Sequence, residues 1–385
     1  MSKRDVLLDV SRLIWRLWRG DLPTGVDRVC LAYLDHYASR SRAMIQRRGK
    51  MFILDERRSD RLFELLSRGS SGFRSSFLKF ALTAFISARS LPAERGLVYL
   101  NVGHTGLDEP SLGSWIRRAG VRAIFFIHDL IPILHPEYCR AGERNKHERR
   151  MVNALRNATG LILNSEATLA DVRNFATTRG LPMPPSVTSW IAGPTIPAGV
   201  VATRLERPHF IVVGTIEARK NHQLLLHVWS DLIAEMGASA PLLIIAGQRG
   251  WEVETTTALL DRSDFRGKIK ELGRCADEDL AALIAGARAL LMPSFTEGFG
   301  LPVIEALELG TPVIASDLPA FREIAGDIPT YLNPFDMPSW KREILSFVED
   351  GIQRREQLKR ISGFRAPDWS SHFGKVDDWI GTLLE

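Results

Sequence analysis

Cysteine is scarce in this chain of 385 residues, which contains three. Cys30, Cys139 and Cys275 lie far apart and are odd in number. This arrangement fits neither a disulfide framework nor a zinc site. A protein without disulfides suits a reducing compartment, so we expect a cytoplasmic location.

Long apolar runs are also missing. The chain has no stretch of about 18 uncharged apolar residues, although 45% of its residues are hydrophobic. Its first residues are charged and lead directly into a strand pattern, without the apolar core of a signal peptide. We therefore expect packed cores and no transmembrane helix.

A third absence is the G-x-G-x-x-G turn that a nicotinamide dehydrogenase would need after its first strand. Short apolar runs that are typical of buried parallel strands still alternate with helix-like runs. At this length two domains are the better expectation. We predict an α/β protein with two doubly wound, Rossmann-like domains facing a central cleft. The predicted strands are 6–10, 96–101, 123–127, 160–164, 210–214, 242–246, 269–273, 289–292 and 312–315.

A proline-rich stretch, 181–197, is the best candidate for the linker between the two halves. It places an N-terminal domain at 1–200 and a C-terminal domain at 201–366. Residues 367–385 have the pattern of an amphipathic helix, which we expect to pack back on the N-terminal domain.

Basic residues are concentrated in 40–74, where apolar side chains interleave with them. Such a stretch is able to contact an anionic membrane surface. The alternative is a solvated face with ordinary core contacts. Binding to nucleic acid is not expected, because no binding motif accompanies the charge. The basic residues are Arg40, Arg42, Arg47, Arg48, Lys50, Arg57, Arg58, Arg61, Arg68 and Arg74.

The most informative stretch is 294–305, SFTEGFGLPVIE, which follows the apolar run 289–292. A strand that passes through a glycine turn into a helix directs unpaired N–H groups and the helix dipole toward an anion. Glu297 lies on the loop before the predicted helix, and Glu305 lies about one turn into that helix. A phosphate flanked by carboxylates that accept from hydroxyls suggests a nucleotide sugar as the ligand.

A second motif, 214–221 or GTIEARKN, follows the strand 210–214. Arg219 and Lys220 would balance the charge of a departing diphosphate at the carboxyl end of that strand. The alternative is an ordinary surface pair before a helix. Of the two, Lys220 is the stronger candidate for a phosphate contact.

Together these motifs, with GTPVIASD at 310–317, resemble the large retaining glycosyltransferase family usually numbered four, which has the GT-B fold. The resemblance covers residues 205–330 and is specific as a set. It implies that Glu297 sits beside the donor sugar and the reaction centre and that Glu305 binds the ribose. Lys220 matches the diphosphate lysine of the family. The loop that contacts sugar and phosphate corresponds to Gly298, Phe299, Gly300 and Leu301.

The chain departs from the family pattern at Thr215, where many members carry an arginine. Arg219 is the candidate to supply the missing charge, as in the subgroup with this E-x-R-K-N pattern. We therefore include Thr215 and Arg219 among the candidate donor-binding residues.

The first half resembles the family more loosely. The segment 127–136, IHDLIPILHP, is similar to a pattern in mannosyltransferase-like members, which implies that His128 lies beside the transferred sugar. The alternative for His128 and Asp129 is that they shape a turn, with the histidine satisfied by backbone. His135 is expected to be structural. In 164–168, NSEAT, we expect Ser165 and Glu166 to cap a helix rather than to perform chemistry.

The segment 24–29, TGVDRV, resembles the N-terminal glycine loop of the family. This makes Gly25 a candidate for close approach to the donor phosphate or the acceptor, because glycine lets a backbone come close. Arg28 is a candidate for the same ligands. Trp15 and Trp18 are candidates to stack on an acceptor sugar, with a core position as the alternative.

The resemblance implies transfer of a hexose from a nucleotide diphosphate sugar to a hydroxyl of a glycan or lipid-linked oligosaccharide, with retention, in surface polysaccharide synthesis. GDP-mannose is the favoured donor, ahead of a UDP-hexose or dTDP-rhamnose. No metal or other cofactor is expected, since the second half has no Asp-x-Asp pair at a strand end. Peripheral contact with the inner face of the membrane is a further expectation. The rival hypotheses are a nucleotide-sugar epimerase and a catalytically silent partner protein.

Overall fold

The structure, a computed structural model, describes residues 4–20, 23–69, 72–86, 95–193, 196, 199–250, 254–262 and 265–385. The chain divides into two compact units. The first unit comprises residues 1–133, 144–191 and 369–385, and the second comprises 134–143 and 192–368. The chain therefore enters the second unit briefly at 134–143 before its main passage at Ile191 and Ala192. Residues 194, 195 and 197 of the predicted linker lie outside the described residues.

In the described part of the first unit, seven strands form one sheet in the order β3-β2-β1-β4-β5-β6-β7. Neighbouring strands are parallel except β2 and β3, which form an antiparallel hairpin. The strands are β1 (Val6–Asp9), β2 (Ser41–Arg47), β3 (Lys50–Ile53), β4 (Val98–Asn101), β5 (Arg122–Ile127), β6 (Gly160–Leu163) and β7 (Ser186–Thr188). The helices of this part of the chain are α1 (Ser11–Arg19), α2 (Gly25–Tyr37), α3 (Glu56–Ser67), α4 (Phe73–Ile86), α5 (Ser111–Ala119), α6 (Ile131–Leu134), α7 (Glu143–Asn157) and α8 (Glu166–Thr178).

The second unit holds a parallel sheet of six strands in the order β10-β9-β8-β11-β12-β13, counted over the described ranges. Its strands are β8 (His209–Val213), β9 (Leu242–Ala246), β10 (Ile269–Gly273), β11 (Leu290–Met292), β12 (Val313–Ser316) and β13 (Thr330–Leu332). Its helices are α9 (His222–Met236), α10 (Glu254–Arg262), α11 (Asp277–Gly286), α12 (Leu301–Glu308), α13 (Pro319–Ala325), α14 (Met337–Val348) and α15 (Ile352–Ile361).

Strands that are apolar along their whole length lie at the centre of both sheets, because helices cover both faces. β5 and β9 are buried along nearly all of their length, and both were predicted within one residue of their ends. The sequence missed β2, β3, β7 and β13. β2 reads SRAMIQR, so its polar residues hid a strand whose Arg42 and Gln46 are buried by the surrounding fold.

The last helix, α16 (Trp369–Leu384), belongs to the first unit. His372 is buried on it and lies 2.8 Å from the hydroxyl of Tyr33 through Nε2. The ring of Phe373 stacks on His36 with centroids 3.9 Å apart. The chain thus leaves the first unit, builds the second, and returns to pack its final helix on α2.

The basic stretch 40–74 is not one amphipathic helix. It forms the β2–β3 hairpin, α3 and the start of α4. Part of its charge is neutralised, since Arg40 pairs with Asp5 and Arg58 with Asp55. The acidic residues on the exposed side of α3 lower its net charge further: Glu56, Asp60 and Glu64.

Candidate active site

The predicted anion site lies where β11 ends and α12 begins. Gly300 precedes α12 with a φ of 112°, and a Cβ there would lie 2.7 Å from Cε1 of Phe321. Only glycine fits this position without strain. No side chain caps α12, and Pro302 lies in its first turn. The start of the helix therefore keeps the polarity that favours an anion.

The motif GTIEARKN begins where β8 ends. Gly214 has a φ of 130°, and Cε of Lys220 would lie 3.3 Å from a Cβ at this glycine. A Cβ on Gly247 would come within 1.8 Å of the carbonyl oxygen of Gly214. This close backbone packing fixes the turn, and Lys220 folds back over it and is buried.

A backbone hydrogen bond joins the two motifs, because the N–H of Phe295 donates to the carbonyl of Arg219 at 2.8 Å. Lys220 Nζ then lies 2.5 Å from Oε1 of Glu297. Arg219 Nη1 donates to Oε2 of the same carboxylate at 2.6 Å. The structure thus brings three of the predicted site residues together, with both cations on the carboxylate of Glu297.

The Glu297 cluster is completed by Ser294 and Glu217. The hydroxyl of Ser294 donates to Oε1 of Glu297 at 2.8 Å, and Arg219 Nη2 lies 2.6 Å from Oε1 of Glu217. Two carboxylates and two cations balance formally. The sequence analysis did not single out Ser294 and Glu217, although both stand inside the motifs that it identified.

Glu297 remains ionised throughout the physiological range. Burial raises the pKa of this carboxyl, but Arg219, Lys220 and the hydrogen bonds from Lys220 and Ser294 outweigh burial and lower it to about 2. Its side chain is 8% exposed. A carboxylate with so low a pKa is a weak base, and it is stabilised only as long as its cations stay in place.

The other predicted residues of the second unit lie on the same two motifs. Phe299 is buried, whereas Leu301 and Thr215 are half-buried, and Thr215 lies two residues after the end of β8. Glu305 lies on the second turn of α12 and is half-buried. A Cβ at Gly193 would be 3.5 Å from Cγ of Glu305, so the backbone of residue 193 passes close to this glutamate.

In the first unit, His128 follows the carboxyl end of β5. Its Nε2 lies 2.8 Å from the carbonyl of Val102, and burial lowers the pKa of its ring to about 4. The histidine is therefore neutral, with one nitrogen occupied by backbone. Asp129 Oδ1 accepts from the N–H of Ile131 at 3.0 Å, which is the turn-shaping role left open as the alternative.

Two further histidines extend from His128, one in contact with the next. The ring centroids of His104 and His128 are 5.1 Å apart, and those of His104 and His147 are 5.8 Å apart. Burial lowers the pKa of His104 as well. Within the described ranges, no group of three or more His, Cys, Asp or Glu side chains is arranged to hold a metal ion.

Gly25 is not in a loop, contrary to the expectation from its resemblance to a glycine loop: it is the first residue of α2. Thr24 and Asp27 form a capping box there, with Asp27 Oδ2 accepting from the N–H of Thr24 at 2.7 Å. Asp27 is buried and pairs with Arg12 at 2.6 Å and with Arg16 at 3.0 Å. The Thr-x-x-Asp spacing was the available signal for this cap.

Ser165 caps α8, as predicted. Its Oγ accepts from the N–H of Thr168 at 3.0 Å, and Glu166 is the first residue of the helix.

The remaining candidates of the first half are partly exposed aromatic side chains. Trp18 is half-buried against Phe77, with ring centroids 6.1 Å apart, whereas Trp15 is 38% exposed. His135 is partly exposed in segment 134–143. Across the described ranges, no helix is both long and apolar enough to cross a bilayer.

Comparison with known proteins shows that the part of the chain carrying these motifs matches one family. Residues 200–362 match the family described as Glycosyl transferases group 1. O-antigen chain mannosyltransferase B of Escherichia coli is 39% identical over 144 residues, which cover 37% of this chain and 38% of that protein. Serotype-specific mannosyltransferase WbdA of Escherichia coli is 32% identical over 259 residues, covering 63% of this chain and 31% of that protein. The chain thus spans less than half the length of these curated relatives.

Among solved structures, HepE of Anabaena in complex with UDP and glucose is similar to this chain with a TM-score of 0.66. The likeness covers 98% of this chain and 99% of that one, at 15% identity. At this identity the likeness concerns the fold. Together with the two sheets, one parallel and one parallel except for the β2–β3 hairpin, it confirms the prediction of two Rossmann-like domains of the GT-B type.

Proposed function

We propose that this chain, whose residues 200–362 match the glycosyl transferases group 1 family, transfers a hexose from a nucleotide diphosphate sugar. The acceptor in this proposal is a hydroxyl of a glycan or lipid-linked oligosaccharide, and the product is a surface polysaccharide. Support for the polysaccharide comes from the relatives, which are named as O-antigen and serotype-specific mannosyltransferases.

The observation that carries the proposal is the pairing of Arg219 and Lys220 with Glu297 in the same unit as the uncapped start of α12. Two cations attached to a rigid turn can stabilise the negative charge that develops on a departing diphosphate. Glu297 holds both cations in position before any anion binds. The positions of Glu297 and Glu305 on either side of the glycine turn suit sugar and ribose hydroxyls, which need acceptors.

We propose GDP-mannose as the donor, with a UDP-hexose or dTDP-rhamnose as the alternatives. The mannosyl group is favoured by the names of both curated relatives and by the IHDLIP pattern at 127–132. The assignment of His128 to the transferred sugar stays a prediction. So do the contacts proposed for Gly25, Thr215, Gly298 and the backbone of 299–301.

We propose retention without a covalent intermediate. In this pathway the acceptor hydroxyl attacks from the face that the diphosphate leaves, and a phosphate oxygen takes the proton. The low pKa of Glu297 favours this pathway, because its carboxylate is held by two cations and is poor both as a nucleophile and as a base. A glycosyl adduct on Glu297, trapped and detected by mass spectrometry, would overturn it. The proposed independence from metal is checked by activity in excess EDTA.

The main test is release of nucleotide from a panel of GDP, UDP and dTDP sugars, combined with thermal shift. A donor at about 100 times its dissociation constant should stabilise the protein by roughly 2.7 kcal/mol. Lys220→Ala should lower turnover by about 10²–10³-fold, the effect of removing one charge-stabilising donor. The control is Lys359→Ala, an exposed lysine paired with Glu356 on α15, which should keep full turnover. Unchanged turnover in Lys220→Ala would refute the phosphate assignment.

Peripheral contact with the inner face of the membrane is part of the proposal, and we propose α4 as the contacting element. Leu78 and Leu82 are 52% and 61% exposed and stand one turn apart, beside Arg74 and Lys79. No acidic residue occurs in α4. Apolar side chains flanked by cations suit an anionic bilayer surface. Co-sedimentation with phosphatidylglycerol vesicles should fall in a Leu78→Glu, Leu82→Glu variant. Equal sedimentation of both proteins would exclude α4 as the contact.

A further inference from the structure

A cavity of about 250 Å³ opens in the first unit at the carboxyl ends of β1, β2 and β4. Strand order reverses there, since β1 lies between β2 on one side and β4 on the other. In open α/β sheets ligands bind beside such a point. The residues lining the cavity are Trp15, Gln46, Arg47, Arg48, Gly49, Thr105, Gly106 and Glu109.

The floor of the cavity is rigid. Gln46 is 4% exposed, and its Nε2 lies 2.6 Å from Oδ2 of Asp9, 2.7 Å from the hydroxyl of Tyr99 and 3.1 Å from the carbonyl of Thr105. The side chain therefore ties β2 to β1, to β4 and to the loop after β4. A Cβ at Gly106, where φ is 72°, would lie 2.1 Å from Oε1 of Gln46, so the loop closes tightly over this amide.

The walls of the cavity present charged groups that the fold does not use. Among the described residues, the side chains of Arg47, Arg48 and Glu109 take part in no hydrogen bond or ion pair, although they line one small cavity. Arg48 and Gly49 form the turn of the β2–β3 hairpin, with φ values of 48° and 73°. This tight turn places Arg48 directly after Arg47, the last residue of β2.

Trp15 supplies an aromatic wall. It is 38% exposed on α1, where Leu13 and Ile14 are buried. An apolar ring beside a few polar groups that converge on one space is typical of a small-molecule site. The volume lies below the roughly 300–1,000 Å³ of sites for drug-sized ligands, so the cavity is suited to a single ring.

The mixed charge of the walls favours a neutral ligand with many hydroxyls. Arg47 and Arg48 can donate to hydroxyl oxygens, and Glu109 can accept from hydroxyl hydrogens. A phosphate or carboxylate would suit the arginines but would be repelled by Glu109. A sugar ring uses both kinds of group and stacks its apolar face on the indole.

We propose that this cavity binds one neutral saccharide ring of the acceptor glycan, stacked on Trp15 and hydrogen-bonded by Arg47, Arg48 and Glu109. The proposal rests on the proposed glycosyl transfer for the identity of the ligand as acceptor. The geometry of the cavity is independent of that transfer.

Saturation-transfer NMR of the full chain with mannotriose tests binding directly. Mannotriose should bind the natural protein, and Trp15→Ala and Glu109→Gln should each weaken binding by on the order of tenfold. Trp15→Phe keeps an aromatic face and should retain most of the affinity for mannotriose. The matched control is Trp190→Ala, which removes a tryptophan of similar exposure, 41%, outside the cavity. Binding that is equal in all variants, or competition by inorganic phosphate, would overturn the proposal.

Kinetics separates this proposal from the proposed function. Trp15→Ala and Glu109→Gln should raise KM for the acceptor by a similar factor while the thermal shift induced by the donor is retained. If no donor shifts the natural protein, the proposed transfer fails, and mannotriose binding still reports on the cavity. If donors shift it but both variants keep the natural acceptor KM, the cavity is not an acceptor subsite.

Discussion

At the scale of the residue, Glu297 has its properties because of two cations that precede it by 78 and 77 positions in the sequence. The family resemblance of the motif SFTEGFGLPVIE implies a carboxylate at the reaction centre. It does not predict that Arg219 and Lys220 hold this carboxylate before any ligand binds. That arrangement depends on β8 and β11 lying side by side in the sheet.

The pH dependence of stability follows from this cluster. The pKa of Glu297 falls from its usual 4.5 to about 2 on folding, so its contribution is present above pH 4.5 and is lost as pH falls toward 2. At 1.36 kcal/mol per pKa unit this is about 3 kcal/mol. We expect Glu297→Gln to reduce the free energy of unfolding at pH 7, and we expect its difference from the natural protein to narrow steadily as pH falls below 4.5 toward 2.

Urea unfolding at several pH values measures this effect. The suitable control is Glu356→Gln, which changes an exposed glutamate on α15 and should leave the pH profile nearly unchanged. A constant difference between Glu297→Gln and the natural protein from pH 7 to pH 3 would contradict the assigned charge state.

At the scale of the element, most strands could be predicted from the sequence, because a strand buried on both faces is a short apolar run. The β2–β3 hairpin could not be predicted in this way. Its polar residues are accommodated by partners distant in sequence, such as Asp9 and Tyr99 around Gln46. The start of α12 was predictable, since a glycine turn followed by Pro302 indicates a helix N-terminus.

Glycine substitutions test the turn before α12. Gly300→Ala places a Cβ at φ 112°, against the ring of Phe321. We expect it to lower stability by about 1–3 kcal/mol and to weaken donor binding, because the loop must shift. Gly374→Ala is the matched control: it lies within α16 with nothing within 4 Å of its Cβ and should stabilise by roughly 0.5–1 kcal/mol.

Thermal unfolding of both glycine variants, with and without donor, provides the measurement. If Gly300→Ala were as stable as the natural protein and responded to donor equally, the strained turn would not be needed at this site.

At the scale of the whole molecule, the chain does not build its two units one after the other. Residues 134–143 belong to the second unit and 369–385 to the first. The amphipathic pattern of the last helix predicts that its apolar face packs against another part of the protein. The sequence pattern alone does not show that its partners are Tyr33, His36 and Tyr37 on α2.

Docking of α16 should contribute substantially to the stability of the first unit. Phe373 is 6% exposed among aromatic rings, so Phe373→Ala should cost about 3–5 kcal/mol through lost burial and the cavity that remains. Phe335→Ala removes a ring that is 75% exposed and should cost no more than about 1 kcal/mol.

Urea unfolding followed by circular dichroism compares these two variants. Equal losses would show that α16 is not held through Phe373. Hydrogen exchange of Phe373→Ala would show where the structure is destabilised. Amide protection should fall in α2 and α16 and remain in the sheet of the second unit.

The sequence by itself determined the fold class, most buried strands, the glycine turn with its two glutamates, and the cap at Ser165. These features depend on residues close together in the chain, so local patterns reveal them. Only the tertiary structure decided which cations hold Glu297, how His128 is satisfied, and that Trp15, Arg47 and Glu109 line one cavity. Those arrangements arise from strands that neighbour one another in the sheets while lying far apart in sequence.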